Sequence, residues 1–149
     1  MLKKFFITFL FILITNSAHA KEIKIISDKL EIIRTENISI FSGNVYAVED
    51  DLKIWSEKLV MTSSKDENEV KEINAYGDVR IVREELSING DKARYDPIQN
   101  KLFVFGEVEV LQNQNTILCD KIILDLENSS SIMSSDLNKR VEALIINEN

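Results

Sequence analysis

From residue 22 onward, apolar and polar side chains alternate one for one over long stretches, and a period of two marks strands with one covered face. The clearest sets surround three glycines. Phe41, Gly43, Val45 and Ala47 form one, Ala75, Gly77, Val79 and Ile81 the next, and Val104, Gly106, Val108 and Val110 the third. The opposite parity carries Ser42, Asn44, Asp78, Arg80, Glu107 and Glu109. Each strand therefore has an apolar inside and a polar outside. No sustained helix period runs through this region.

These strands belong to a repeat, which governs the architecture. Ser27-Asp28-Lys29-Leu30 returns as Ser56-Glu57-Lys58-Leu59, Gly90-Asp91-Lys92-Ala93 and Cys119-Asp120-Lys121-Ile122, with the lysines 29, 34 and 29 residues apart. Fifteen residues before each of the last three lysines stands a glycine: Gly43, Gly77 and Gly106. The longer middle spacing falls in the polar residues 63–69, which read as an extended turn. Residues 22–33 match the second half of a unit, so the pattern opens mid-repeat.

The second strand of each unit keeps the inside parity at Ile54, Ile88 and Ile117, with Ser56, Gly90 and Cys119 two positions on. It then shifts phase to Leu59 and Met61, Ala93 and Tyr95, and Ile122 and Leu124. A one-residue slip would turn every later side chain outward, so a bulge or bend is predicted at each acid-lysine pair. Long antiparallel strands that bend at a repeated place curl rather than lie flat. The predicted fold is all-β, a twisted antiparallel jelly roll of about eight bent strands with open ends. The final strand is expected at residues 140–146, and the serine-rich residues 129–136 as a mobile connection within a single β domain over 21–149.

The N terminus has a different character. Lys3 and Lys4 precede an apolar run at residues 5–14, and Ala18-His19-Ala20 precedes Lys21, the layout of a cleavable secretory signal spanning residues 1–20. The run is too short to cross a bilayer core, which needs about 20 apolar residues, although an uncleaved anchor is the competing possibility. Loss of the two lysines takes the formal charge from -7 to -9. Such a balance argues against nucleic acid or a polybasic membrane surface as partner.

His19 is the only histidine and leaves with the signal, so the mature chain has no imidazole for a general base, a serine triad or a histidine-ligated metal. Cys119 is also alone, which rules out an intramolecular disulfide and favours a small buried apolar role. Lys29, Lys58, Lys92 and Lys121 are expected at one level of the sheet. The acid beside each favours solvation of a corner over a phosphate-binding stripe. The clusters Glu49-Asp50-Asp51 and Asp66-Glu67 with Glu69 read as solvated turn charge, lacking the spacing of a calcium loop. Trp55, Tyr46, Tyr76 and Tyr95 form no periodic stacking platform. Neither a catalytic residue, a metal site nor a cofactor is expected.

Phe41-Ser42-Gly43-Asn44-Val45, Ala75-Tyr76-Gly77-Asp78-Val79 and Gly90-Asp91-Lys92-Ala93-Arg94-Tyr95-Asp96 resemble the repeat of the OstA family, to which the periplasmic LptA-type lipopolysaccharide transport proteins belong. The likeness spans nearly all of residues 22–126. It implies a jelly roll that shelters the acyl chains of lipopolysaccharide (lipid A) in the periplasm and stacks head to tail between the two membranes. It implies as partners an inner-membrane LptC-like subunit and the N-terminal OstA-like domain of an outer-membrane LptD-like protein. Leaving about a dozen methylenes in water costs on the order of 10 kcal/mol, which is why such cargo needs a sheltered path. The expected lining is Ile23, Ile25, Leu30, Ile32, Phe41, Val45, Ile54, Leu59, Val79, Ile81, Ile88, Tyr95, Val108, Val110, Ile117 and Leu124. An inner-membrane-anchored LptC-like scaffold and a β-sheet enzyme acting on envelope saccharides stand as alternatives. The first strand and the last are the edges expected to carry stacking.

Overall fold

Ten antiparallel strands join into one sheet in a computed structural model that describes residues 21–66 and 68–148. They are β1 (Ile23–Ile26), β2 (Lys29–Ile33), β3 (Ile38–Glu49), β4 (Leu52–Ser63), β5 (Val70–Arg83), β6 (Leu86–Asp96), β7 (Lys101–Gln112), β8 (Asn115–Asp125), β9 (Ser130–Ser134) and β10 (Glu142–Leu144). From β3 to β8 each strand pairs with its sequence neighbour, a meander that short turns suffice to build. The expected signal peptide lies outside the described residues. Among those described, no helix is long and apolar enough to cross a membrane.

The count of ten has a simple origin. Each long strand is bent once, and the sheet folds along the line of bends into two leaves. β1 and β2 are the two halves of a first strand broken at that line, and both pair with β3. β9 and β10 are the corresponding halves at the other end, and both pair with β8. The expected connection at residues 129–136 is therefore corrected: Ser130–Ser134 is an edge strand whose partners run from Asp125 to Lys121. Its serines carry no strand pattern of their own. Pairing is imposed by the unsatisfied edge of β8, which offers backbone groups to the next segment.

Cross-strand registers make the two inner faces explicit. On the first leaf, Ile25, Ala47, Ile54, Ile81, Ile88, Val110, Ile117 and Ala143 are successive partners. On the second, Leu30, Phe41, Leu59, Ala75, Ala93, Val104, Ile122 and Met133 do the same. Directly opposed residues share a face, so each row is an unbroken apolar stripe across the strands of its leaf.

Between the stripes runs the corner. Lys29, Ser42, Lys58, Tyr76, Lys92, Phe105, Lys121 and Ser134 are partners there, which puts the four repeated lysines at one level as expected. The bend divides its labour between neighbouring strands. The phase shift of burial occurs in the acid-lysine strand, where Ile54, Ser56 and then Leu59 are buried. The extra backbone residue sits in the glycine strand. Gly43-Asn44 faces the unpaired Glu57, Gly77-Asp78 faces Asp91, and Gly106-Glu107 faces Asp120. All three glycines have φ near +80°, and the residue after each is also left-handed, at 47°, 44° and 44°.

The sequence motif follows from this geometry. Asp28, Glu57 and Asp91 lie over Gly43, Gly77 and Gly106 so closely that a Cβ at any of the three glycines would collide with the acid. The small residue before the acid is also used: Ser27 and Ser56 donate their hydroxyls to the carbonyls of Lys29 and Lys58 at 3.0 and 3.1 Å. The last unit has no following glycine. Asp120 instead accepts the Asp136 backbone N–H at 2.8 Å and lies 3.4 Å from Lys139 Nζ.

Candidate functional site

Among the described residues, the most extensive apolar surface turned away from the polar outer face is the space between the leaves. Of the expected lining, Phe41, Val45, Ile54, Leu59, Val79, Ile81, Ile88, Tyr95, Val108, Val110 and Leu124 are buried there. Ile23, Ile25 and Ile117 are half-buried and pack on that core. Leu30 and Ile32 are 50% and 58% exposed. They still belong to the inner face, because their partners are Phe41 and Ser39, but they stand on the outermost strand, beyond which no strand continues the row. Leu52, Ile73 and Leu102 are also buried, although the sequence-based set leaves them out. The signal was available: Ile73 and Leu102 continue the parity of Ala75 and Val104 by one step.

Packing between the leaves is uneven. Where Ile23, Ala47, Leu52 and Ile54 meet Ile73 and Tyr95, the residual void is about 10 Å³, no more than the space of one water molecule, and a space of about 60 Å³ adjoins it at the margin by Arg83 and Leu126. Toward the C-terminal edge the leaves part into a cleft of about 440 Å³. Leu86, Ile122, Leu124 and Met133 give it apolar walls, and Arg83, Glu84, Glu85, Gln112, Asp125 and Ser129 to Ser131 a polar rim. A second opening of about 210 Å³ lies by Ile32, Ile33, Ile38 and Met61 near the N-terminal edge.

One polar cluster lies at the margin where the leaves close. Glu49 was expected as solvated turn charge; it is 7% exposed, because it ends β3 on the inward parity of Val45 and Ala47. Tyr95 Oη donates to Glu49 Oε1 at 3.1 Å and lies 3.4 Å from Asn100 Oδ1. Lys21 Nζ stands 3.5 Å from the same carboxylate oxygen, whereas Oε2 is buried without a hydrogen-bond partner. Burial first, and the Glu49 charge second, push the Tyr95 phenol well above its ordinary range and keep it a donor. Beside it, Arg83 bonds Asp51 at 3.2 Å on its own leaf and the Leu126 carbonyl at 3.2 Å on the other. Asp50 and Asp51 are exposed, as expected of a turn. Glu67 lies outside the described residues.

Nothing in this arrangement resembles reaction chemistry. Among the described residues no group of three or more His, Cys, Asp or Glu is placed to hold a metal. Cys119 is 6% exposed, and burial raises its thiol pKa, with Asp120 adding to the rise. On the outer face, Tyr46 packs against Trp55, and Arg80, Lys92, Arg94 and Lys121 lie over Trp55, Tyr76, Phe103 and Phe105. These contacts cover aromatic rings with charged side chains on the convex surface.

A curled antiparallel jelly roll with a continuous apolar interior, split at its edges, is the class of protein that the fold defines. The sequence matches the family described as LptA/(LptD N-terminal domain) LPS transport protein over residues 24–130, and the chain belongs to that family. Its members are transport proteins rather than enzymes. The fold is similar to that of LptH from Pseudomonas aeruginosa, the LptA-homologous periplasmic component of a lipopolysaccharide transport device. The two share a TM-score of 0.76 at 16% identity, covering 85% of this chain and 96% of that one. No curated protein matches the sequence.

Proposed function

We propose that this protein carries lipopolysaccharide through the periplasm by holding lipid A acyl chains between its two leaves, and that copies or relatives stack on its edges to extend the path. The observation that carries the reading is the pair of apolar stripes, which cross all the strands and run out to unpaired edges at both ends. At the N-terminal edge they finish on exposed Leu30, and at the C-terminal edge on Met133 and Ala143. Sheltering about a dozen methylenes there offsets on the order of 10 kcal/mol of exposure.

The edges support stacking through their unpaired backbone groups and their apolar content. Ile26, Leu30 and Ile32 are exposed at one end, and Ile132, Leu144, Ile145 and Ile146 at the other. An inner-membrane LptC-like subunit would dock at one edge and the N-terminal OstA-like domain of an LptD-like protein at the other. Residues 1–20 would be removed on export, leaving a periplasmic domain that starts at Lys21; the intact mass of the exported protein tests this.

Photo-crosslinking tests the cargo. A photoreactive residue at Met133, which lines the cleft, should label lipopolysaccharide, whereas one at Ile132, 68% exposed on the other face, should not. Equal labelling from the two positions would sink the reading.

A further inference from the structure

The fold is open near both edges and shut between them. Openings of about 440 Å³ and 210 Å³ lie toward the two edges, whereas the spaces between them are about 10 Å³ under Tyr95 and about 60 Å³ at the margin itself, too small for an acyl chain of a dozen methylenes. The shut region lies under the margin where the ends of β3 and β5, on the first leaf, reach the end of β6 and the residue after β8 on the second. Two polar ties span that margin: Tyr95 Oη to Glu49 Oε1 at 3.1 Å, and Arg83 Nη1 to the Leu126 carbonyl at 3.2 Å. An acyl chain passing from one cleft to the other must run beneath them.

We propose that these two ties are a latch. The central interior is not a standing tunnel; it admits an acyl chain only when Tyr95 and Arg83 release and the leaves part about the glycine corner. The inference rests on the reading that acyl chains lie between the leaves. Three features favour release over permanent closure. Each tie is a hydrogen bond, exchangeable for water, in a margin where interdigitated apolar side chains would have closed the leaves for good. Glu49 keeps one buried oxygen unpartnered, so its closed position is incompletely satisfied. Lys21 Nζ stays beside Glu49 from the same leaf, so the carboxylate keeps a counter-charge when Tyr95 leaves.

The test uses the exported mature protein and Tyr95→Phe, which keeps the ring, alone and with Arg83→Gln. Hydrogen exchange without lipid reads the margin itself, and the rate of loading with purified rough lipopolysaccharide reads its use. The latch predicts exchange faster by about threefold to tenfold at the β3–β4 and β5–β6 turns and at Leu126, with loading accelerated by a similar factor. Unchanged exchange in both variants would overturn the latch. Faster exchange with unchanged loading would overturn it as a cargo gate. Failure of the unsubstituted protein to load any lipid would instead overturn the transport reading, and the inference with it.

Discussion

The carboxylate of Asp91 lies directly over Gly106 on the neighbouring strand, in the space where any other residue would carry its Cβ. Gly106 has φ +83°, so both the backbone and its neighbour demand glycine. The same pairing joins Asp28 to Gly43 and Glu57 to Gly77, which makes the acid and the glycine of successive repeats two halves of one corner joint.

Gly106→Ala should therefore destabilise the protein by about 1–3 kcal/mol in urea unfolding. Adding Asp91→Ala should recover only the steric part of that loss. Full additivity of the two substitutions would show that the acid does not press on the glycine.

Glu107, at φ 44°, occupies a left-handed position that Asn44 and Asp78 fill in the other repeats. Asn and Asp tolerate that region better. Glu107→Asn should stabilise by about 0.5–1 kcal/mol, seen as a higher melting temperature; a lower one would mean that Glu107 makes an offsetting contact.

Tyr95 sets an alkaline limit. Its folded pKa is raised above the ordinary value of 10.0 by burial and by Glu49. The unfolded chain then releases the phenol proton first, so this contribution is complete below about pH 10 and is lost as pH rises through the folded value. Urea midpoints of the unsubstituted protein should fall above pH 10, and Tyr95→Phe should flatten that fall. Parallel curves would rule out the assignment.

Cys119 is buried, and its raised pKa disfavours the thiolate. Its reaction with a disulfide reagent at neutral pH should be at least about tenfold slower in the folded protein than in urea. Equal rates would place the thiol at the surface.

Packing should separate two leucines that occupy the same apolar stripe. Leu59 is fully buried, so Leu59→Ala should cost about 2–5 kcal/mol. Leu30→Ala, at a half-exposed edge position, should cost under about 1 kcal/mol, yet weaken self-association measured by sedimentation. A large stability loss at Leu30 would contradict its exposure in the monomer.

Parity along the chain was enough to place Ile54, Ile81, Ile88, Val108 and Val110 on the inside, and to locate the phase change between Ser56 and Leu59. The bulge was less legible. The acid-lysine pair marks the corner, yet the extra residue is Gly-Asn, Gly-Asp or Gly-Glu on the adjoining strand, because only register between strands decides which partner is one residue too long. The burial of Glu49 is hidden in the sequence for a related reason. A run of three acids looks solvated, but the first still belongs to β3, and its environment is set by Tyr95, 46 residues away.

By itself the sequence determined the repeat, the two-residue period, the inward set and the corner, since each follows from local strand geometry repeated along one chain. Tertiary structure alone decided that β1 with β2, and β9 with β10, are broken halves of edge strands. It also decided that the inward-facing Leu30 and Ile32 lie open, and that Glu49 meets Tyr95 across the closing margin. Those features depend on what stands opposite a residue after the sheet folds onto itself, and contacts between segments far apart in sequence leave no period to read.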